Sequence, residues 1–184
     1  MLTALIVVIV VVVLLVVAAL VVLPGRMRSR RLRNRFGPEY ERAMSNAEDQ
    51  RAAERELAER EQRHSRYELR QLSAADRAEY QLRWSAIQER FVDAPAESVR
   101  EADRLVTDVM AAMGYPTDCF DQQADDLSVR YAEHVTRYRE AHRVAVDGDA
   151  GTDGQRQALL GYRDLVHTML GETAATRDSE AATA

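Results

Sequence analysis

The first 23 residues form an almost unbroken apolar run in which Thr3 is the only polar side chain. As an α-helix, a segment of this length spans roughly 33 Å, which exceeds the hydrocarbon core of a bilayer at about 30 Å. A single segment in lipid must satisfy its backbone amides internally, and a helix does so. The apolar core of a cleaved signal peptide is shorter, at about 7–15 residues. The run therefore predicts an uncleaved transmembrane helix over residues 1–23 and localisation to the cell membrane.

The segment 24–35 carries positive charge without any acidic residue, through Arg26, Arg28, Arg30, Arg31, Arg33 and Arg35. Because basic flanks stay on the cytoplasmic side, this charge predicts that the N-terminus lies outside and residues 24–184 lie in the cytoplasm. The same arginines are expected near anionic lipid headgroups, so the lipid bilayer is the first predicted partner. Taking these six charges from the net charge of −5 leaves −11 on the residues that follow. Such a domain repels nucleic acid, which is not a predicted partner.

Residues 36–70 are rich in Glu, Arg and Ala and predict a long charged juxtamembrane helix, or stem. Pro38 suits the first turn of a helix, and Glu39 suits the positive end of its dipole. The best coiled-coil seam has a polar middle, so a solvated spacer is favoured over a dimerising helix. Weak self-association through the stem or the transmembrane helix stays open. The seam comprises Phe36, Tyr40, Ala43, Ala47, Gln50, Glu54, Leu57 and Glu61.

Helical periodicity dominates residues 71–171, and the predicted fold class is all-α, with an irregular antiparallel helical bundle. Ser73 and Asp76 form a capping box, Pro95 begins a helix, and Gly114 suits the left-handed position that ends it. Gly171 is expected to end the last helix, and residues 172–184 are too polar to bury and are predicted to be disordered. The expected inward faces comprise Tyr80, Trp84, Ile87, Phe91; Val99, Ala102, Leu105, Val106, Val109, Met110, Met113; Tyr131, Val135, Tyr138, His142, Ala145; and Leu159, Tyr162, Val166, Met169.

The residue types that usually carry chemistry predict no catalytic, metal or cofactor site. His134 and His142 lie two helical turns apart, at about 12 Å, which is too far to share one ion directly. Cys119 is the only cysteine and is expected to be a small buried hydrophobe. The loop from Asp147 to Asp153 resembles a calcium loop but lacks its bidentate Glu, so it is interpreted as a turn with a helix cap. The acidic clusters at 97–103 and 121–126 are interpreted as solvated helix faces.

Three stretches of the sequence resemble a known family of proteins. The run RWSAIQERFVDAP at 83–95 resembles a helical module in uncharacterised single-pass membrane proteins of actinobacteria and some other bacteria. The resemblance continues through Val99, Glu101–Asp103, Leu105–Val106 and Val109–Met110. The stem opening RFGPEY at 35–40 and the segment from Asp153 to Leu170 are similar to the same family, over about residues 26–171 in all. The resemblance implies a membrane-tethered helical protein and assigns no activity. Gly154 stands where relatives tend to have Glu, a weaker helix start.

The sequence therefore favours a non-enzymatic interaction or scaffold protein tethered to the membrane. An unknown protein partner is expected to bind the polar residues that flank the core stripe, namely Arg83, Gln88, Asp93 and Asp103. The alternative hypothesis is a membrane-anchored sensor that binds a small molecule or a metal in a pocket between bundle helices, near Trp84, Tyr138, His134 and His142. A third hypothesis, an unrecognised enzyme, has no motif in its support.

Overall fold

The computed structural model describes residues 27–148 and 150–181, with residues 172–181 as backbone only. The secondary structure of these residues is entirely helical, which confirms the all-α class. The predicted transmembrane helix over 1–23 lies outside the described residues. Among the helices that are described, none has the length and apolar character needed to cross a bilayer. The chain divides into two compact units, with the boundary after Ala58.

The first unit contains α1 (residues 27–36), α2 (Pro38–Asn46) and the beginning of α3 (Gln50–His64). Gly37 separates α1 from α2 with a positive φ of 47°, a conformation that favours glycine. Ala47 is extended and ends α2, and the Asp49 carboxylate then accepts from the Ala52 amide at 2.7 Å, which caps the start of α3. The buried apolar side chains of this unit are Leu32, Phe36, Tyr40, Ala43, Ala53 and Leu57.

The prediction of one long stem helix is therefore wrong. The segment 36–70 contains two helices, because the chain turns at Gly37 and again at 47–49, and the second helix ends at His64. Several members of the predicted coiled-coil seam, including Tyr40 and Leu57, are fully buried within the single chain. Folding the segment back on itself buries apolar surface that a straight solvated helix leaves in water, at about 25 cal/mol for each Å².

The second unit contains the end of α3 and then α4 (Ala74–Arg90), α5 (Pro95–Met113), α6 (Phe120–Ser128), α7 (Ala132–Asp147) and α8 (Gly151–Ala181). The capping box at the start of α4 is confirmed, since Ser73 and Asp76 accept from each other's backbone amides. Pro95 lies in the first turn of α5, as predicted. Gly114 ends that helix at φ 92°, and a Cβ there would meet the Glu68 carbonyl oxygen at 2.8 Å.

The core of the second unit is built from the faces that the helical periodicity predicts. Val99, Leu105, Val106 and Met110 of α5 are at most 1% exposed. Gly161 allows α8 to approach α7 closely, because a Cβ at this position would lie 3.1 Å from the Arg137 carbonyl oxygen. The core also includes Leu72, Trp84, Ile87, Ala102, Val109, Met113, Tyr115, Ala124, Leu127, Tyr131, Val135, Tyr138, Ala141, Ala145, Ala158, Tyr162, Leu165, Val166, Met169 and Leu170.

Two predictions about the ends of the second unit differ from the structure. The last helix does not end at Gly171 but continues to Ala181, so residues 172–181, predicted to be disordered, are helical. Glycine costs about 1 kcal/mol inside a helix and does not by itself end one, and the Ala, Glu and Arg residues beyond it are good helix formers. Residues 59–70, assigned from sequence to the stem, belong with the second unit.

Candidate functional site

Two arginines of the basic segment are bound by acidic or carbonyl groups of the first unit. Arg28 donates through Nη2 to the backbone carbonyl of Glu54 at 3.4 Å. The Nε of Arg33 lies 3.4 Å from the Glu41 carboxylate, and its guanidinium lies 5.0 Å from the centre of the Tyr40 ring. These contacts are partly solvent-exposed and therefore contribute little stability, about 0–1 kcal/mol for the ion pair. They do orient both side chains along the surface of the unit.

The other arginines of the segment that the structure describes, Arg30, Arg31 and Arg35, are also exposed on α1. Arg26 lies outside the described residues. All five arginines of the segment that the structure describes are exposed, including the two with these contacts.

A buried carboxylate organises the polar interior of the first unit. Glu54 is 8% exposed, and its Oε1 accepts from Ser29 at 2.6 Å, Gln50 at 2.7 Å and Tyr40 at 3.1 Å. Burial acts to raise the pKa of Glu54, but the hydrogen bonds from Ser29, Gln50 and Tyr40 outweigh it, so the pKa is lowered. Burial, followed by the bond to Glu54, raises the pKa of Tyr40. At neutral pH the Glu54 carboxylate is therefore ionised and the Tyr40 hydroxyl is protonated. The hydrogen bonds from Ser29 and Tyr40 to Glu54 connect α1 and α2 to α3.

The four residues predicted as a partner surface do not form one patch. Arg83 of α4 pairs with Asp108 of α5 at 2.6 Å across the surface of the bundle. Gln88 and Asp93 are exposed at the end of α4 and in the turn that follows. Asp103 faces in another direction, toward α7 and α8, where it takes part in the interior cluster described next.

Asp103 is the centre of a polar cluster between α5, α7 and α8. Its Oδ1 accepts from the Tyr162 hydroxyl at 2.8 Å and lies 2.9 Å from Nδ1 of His142. The Phe120 ring stacks on the His142 imidazole, with centroids 3.4 Å apart and planes inclined by 8°. The side chain of Asp103 is 21% exposed and that of His142 is 24% exposed. The carboxylate thereby fixes the orientation of a half-buried imidazole and of a buried phenol.

The tyrosines next to this cluster are held in their neutral form. Burial, followed by the negative charge of Asp103, raises the pKa of both Tyr138 and Tyr162 far above the ordinary value of 10. The Tyr138 hydroxyl donates to the Gln123 side chain at 3.3 Å, and that amide donates to the carbonyl of Thr117 at 2.9 Å. The hydroxyl of Tyr138 and the amide of Gln123 therefore both have hydrogen-bond partners, as burial demands.

A second ionic cluster joins α3 to α6. Asp126 is fully buried and accepts from Arg63 at 3.2 Å and from the Tyr67 hydroxyl at 2.8 Å. Next to it, Asp125 lies 3.0 Å from the buried Arg60. These aspartates were interpreted from sequence as a solvated face. Instead they are paired, because a buried carboxylate requires hydrogen-bond donors and α3 supplies arginines one turn apart.

The remaining candidates for chemistry have separate environments. His134 lies 3.1 Å from the Thr168 hydroxyl, and His64 lies 3.2 Å from the Tyr115 hydroxyl. Cys119 is exposed, so the prediction that it is buried is wrong: its backbone is extended at the N-cap of α6 and turns the side chain outward. Within the described part of the chain, no three His, Cys, Asp or Glu side chains converge in a way that could hold a metal ion.

A pocket of about 260 Å³ opens between α7 and α8. Its lining combines Ala141, Val144 and Ala158 with the polar residues Arg137, Glu140, Arg143 and Gln157. This is not the pocket that the sequence predicted near Trp84, Tyr138, His134 and His142. That region is filled by side chains, since Trp84 and Tyr138 are part of the packed core.

Sequence reasoning did not identify Gln123, Arg63 or Tyr67 as members of the polar clusters. Gln123 does lie on the inward face of α6, where a polar residue among apolar ones signals a buried hydrogen bond. Arg63 and Tyr67 have no such signal, because each is separated from Asp126 by about 60 residues.

Comparisons with protein-family models, with curated proteins and with solved structures found no match to this chain.

Proposed function

We propose that this chain is a membrane-tethered helical interaction or scaffold protein, anchored by residues 1–23 and with residues 24–184 on the cytoplasmic side. The observation that carries the tether is the apolar run followed by arginines on one flank only. We further propose that it belongs with the actinobacterial single-pass family that it resembles. The anchor would raise the effective concentration of the bundle for any partner at the membrane.

The partner surface is best placed on the outer side of α4. Leu82 is 72% exposed and Val92, in the turn after α4, is 83% exposed. Glu89 lies two turns after Leu82 on the same side of the helix, and Gln88 and Asp93 are exposed beside it. Exposed apolar side chains with a polar rim are typical of protein interfaces. We define these five residues as the α4 surface, which replaces the set that included Asp103.

The tether and its orientation are tested by extraction and by protease. The chain is expected to stay in the membrane pellet after carbonate treatment, and a reporter fused after Ala184 is expected to be active in the cytoplasm. Protease added to intact cells should leave the bundle whole. Digestion from outside, or release by carbonate, contradicts the proposal.

The α4 surface is tested by photo-crosslinking in native membranes from position Glu89. We expect an adduct of one defined mass that is lost in L82D. The matched control is V146D, because Val146 is 69% exposed on α7 and undergoes the same chemical change. An adduct that survives L82D, or that is lost equally in both variants, would remove the α4 surface from the proposal.

The second candidate function is a small-molecule sensor, and the pocket between α7 and α8 is the observation that favours it. The opposite charges of Glu140 and Arg143, beside the apolar Val144 and Ala158, suit a small zwitterion or carboxylate. A thermal-shift screen with amino acids and short carboxylates should then find a ligand whose effect is lost in R143Q and kept in R100Q, where Arg100 is exposed on α5. Equal shifts in both variants would reject a site at this pocket.

A further inference from the structure

The side of α4 that faces away from the bundle carries little charge. The buried residues of this helix are Trp84 and Ile87, and Leu82, on the opposite side, is 72% exposed. A helix surface in contact with water normally carries charged or polar residues. At about 100° per residue, the residues that lie within about 40° of Leu82 between the start of the helix and Ala86 are Ala75, Ala78 and Ala86, and all three are exposed. We call these four residues the uncharged side of α4.

One edge of the uncharged side carries charges that are sorted by sign along the helix. Asp76 and Glu79 lie on this edge in the first half of α4, and Arg83 and Arg90 lie on it in the second half. All four are about 60–120° from Leu82 in the same direction around the helix. Over the same range of angles the opposite edge has no charged residue and consists of Ala74, Gln81, Ser85 and Gln88.

The groups on the charged edge are accessible to another surface. Arg83 and Arg90 pair with acidic residues of α5, but their side chains stay 40% and 47% exposed. Glu79 is also exposed. A guanidinium has five N–H donors, so each arginine is able to bind a second carboxylate without losing the first.

We infer that the uncharged side of α4 binds the same side of a second copy of this chain, in antiparallel orientation and with Leu82 on the twofold axis. In such a pair each edge of the helix meets the same edge of its copy, running in the opposite direction. Glu79 is then displaced by only about 3 Å along the helix axis from Arg83 of the second copy, and Asp76 by about 3 Å from Arg90 of the second copy. The acidic half of each edge thus faces the basic half of the other.

The order of the charges favours both this occupant and this direction. A parallel pair would bring the charged edge against the uncharged edge and leave Asp76 and Glu79 without opposite charges. A second copy in antiparallel orientation carries the complementary order by symmetry, and complementary charge fixes the register of an interface.

The inference rests on the proposed function, because it names the partner of the α4 surface, with which the uncharged side shares Leu82. The 17 residues of α4 span about 25 Å, so a contact along this helix alone is smaller than a standard interface of about 800 Å² per partner. The pair is therefore expected to form where the anchor raises the effective concentration of the chain.

The first test is disulfide crosslinking of the full chain in phosphatidylcholine vesicles. Cys119 is exposed and is replaced by C119S in every variant. L82C is expected to form a covalent dimer under mild oxidation, because the two Leu82 positions meet at the axis. The matched control is V146C on α7, where Val146 is 69% exposed, and it should stay monomeric.

The direction of the pair is tested by mixing A78C chains with A86C chains of different mass. In the antiparallel pair Ala78 lies at the same height as Ala86 of the second copy, whereas two Ala78 positions are about 12 Å apart along the axis, too far for a disulfide. The mixed dimer should therefore dominate. A parallel pair would instead give dimers of A78C with itself.

The charged edge is tested by reversing one charge in the L82C background. E79R should lower the yield of covalent dimer at limiting chain density about tenfold, because two symmetry-related attractions become repulsions. E79R/R83E restores opposite charges across the axis and should recover the yield. The matched control is E133R, which makes the same reversal at an exposed position on α7 and should leave the yield unchanged.

Equal crosslinking of L82C and V146C, dominant A78C self-dimers, or equal loss in E79R and E133R would overturn the inference. Self-association through the stem or the apolar segment alone would give the first of these results. If photo-crosslinking from Glu89 gives an adduct with a different protein that is lost in L82D, while L82C stays monomeric, the α4 surface stands and its pairing with a second copy fails. If neither crosslink forms, both fail.

Discussion

Replacing Asp103 by alanine is expected to destabilise the second unit by about 2–3 kcal/mol. The substitution leaves the hydroxyl of Tyr162, which is 0% exposed, without its acceptor, and an unsatisfied buried group costs about 1–3 kcal/mol. Loss of the pairing with the half-buried His142 adds at most about 1 kcal/mol. For a unit of this size, the expected fall in Tm is about 8–12 °C.

Urea unfolding followed by the fluorescence of Trp84 measures this effect selectively. Trp84 is the only tryptophan of the chain and is 4% exposed in the core of the second unit, so its emission reports that unit alone. The matched control is D108A on the same helix. Asp108 pairs with Arg83 at the surface, where both side chains are at least 40% exposed, and its loss should cost less than about 1 kcal/mol.

A double-mutant cycle identifies the contact responsible. Y162F removes the hydroxyl that donates a hydrogen bond to Asp103. The loss of unfolding free energy in D103A/Y162F should therefore be smaller than the sum of the losses in the two single variants, by about 1–2 kcal/mol. Strict additivity, or a D103A effect no larger than that of D108A, would refute the argument that this carboxylate satisfies a buried phenol.

Three other perturbations have expected outcomes. Ultraviolet titration of the tyrosines should show that Tyr138 and Tyr162 do not ionise near pH 10 but only as the bundle unfolds in alkali. Because the pKa of each hydroxyl is raised in the folded state, the protonated tyrosines contribute their full stabilisation below pH 10, and this contribution is lost as the pH rises further. Thermal unfolding should show that G114A lowers the free energy of unfolding by more than about 1 kcal/mol, because the φ of 92° and the close carbonyl oxygen both oppose a Cβ. G171A should raise the free energy of unfolding by about 0.5–1 kcal/mol, because Gly171 lies within a helix and has open space around it. Because the pKa of Glu54 is lowered in the folded state, its ionised form stabilises the first unit above about pH 4.5, and this stabilisation is lost as the pH falls through the folded-state pKa. The difference in Tm between the parent and E54Q, measured by circular dichroism, should therefore shrink below about pH 4.5.

Helix signals that act within a few residues were predicted well. The capping box of Ser73 and Asp76, the proline start of α5 and the left-handed Gly114 all appear as predicted, because each is a contact between near neighbours or a restriction on one residue's backbone. The apolar stripe of α5 also appears as predicted, since a spacing of three and four residues places side chains on one side of a helix in any fold.

The errors arose where propensity favoured more than one outcome. The stem has enough Glu, Arg and Ala for one continuous helix, and Gly37 and the turn at 47–49 carry too weak a signal on their own to predict a fold-back. Burial of Phe36, Tyr40 and Leu57 decides in favour of the turns, because tertiary packing contributes more than helix propensity. The error at Cys119 has a similar origin. The sequence does not distinguish a position at the N-cap of a helix from one on its buried face, because this depends on the path of the chain before the helix.

The sequence by itself determined the helical class of the chain, the ends of α4 and α5, the inward faces of α4, α5, α7 and α8, and the expectation of an anchor with arginines on one flank. Only the tertiary structure decided which polar groups meet. Asp103 bonds residues 39 and 59 positions away, and Asp126 bonds Arg63 across 63 positions. The physical reason is range: a helix forms from contacts three and four residues apart, whereas the partner of a buried carboxylate depends on how whole helices pack.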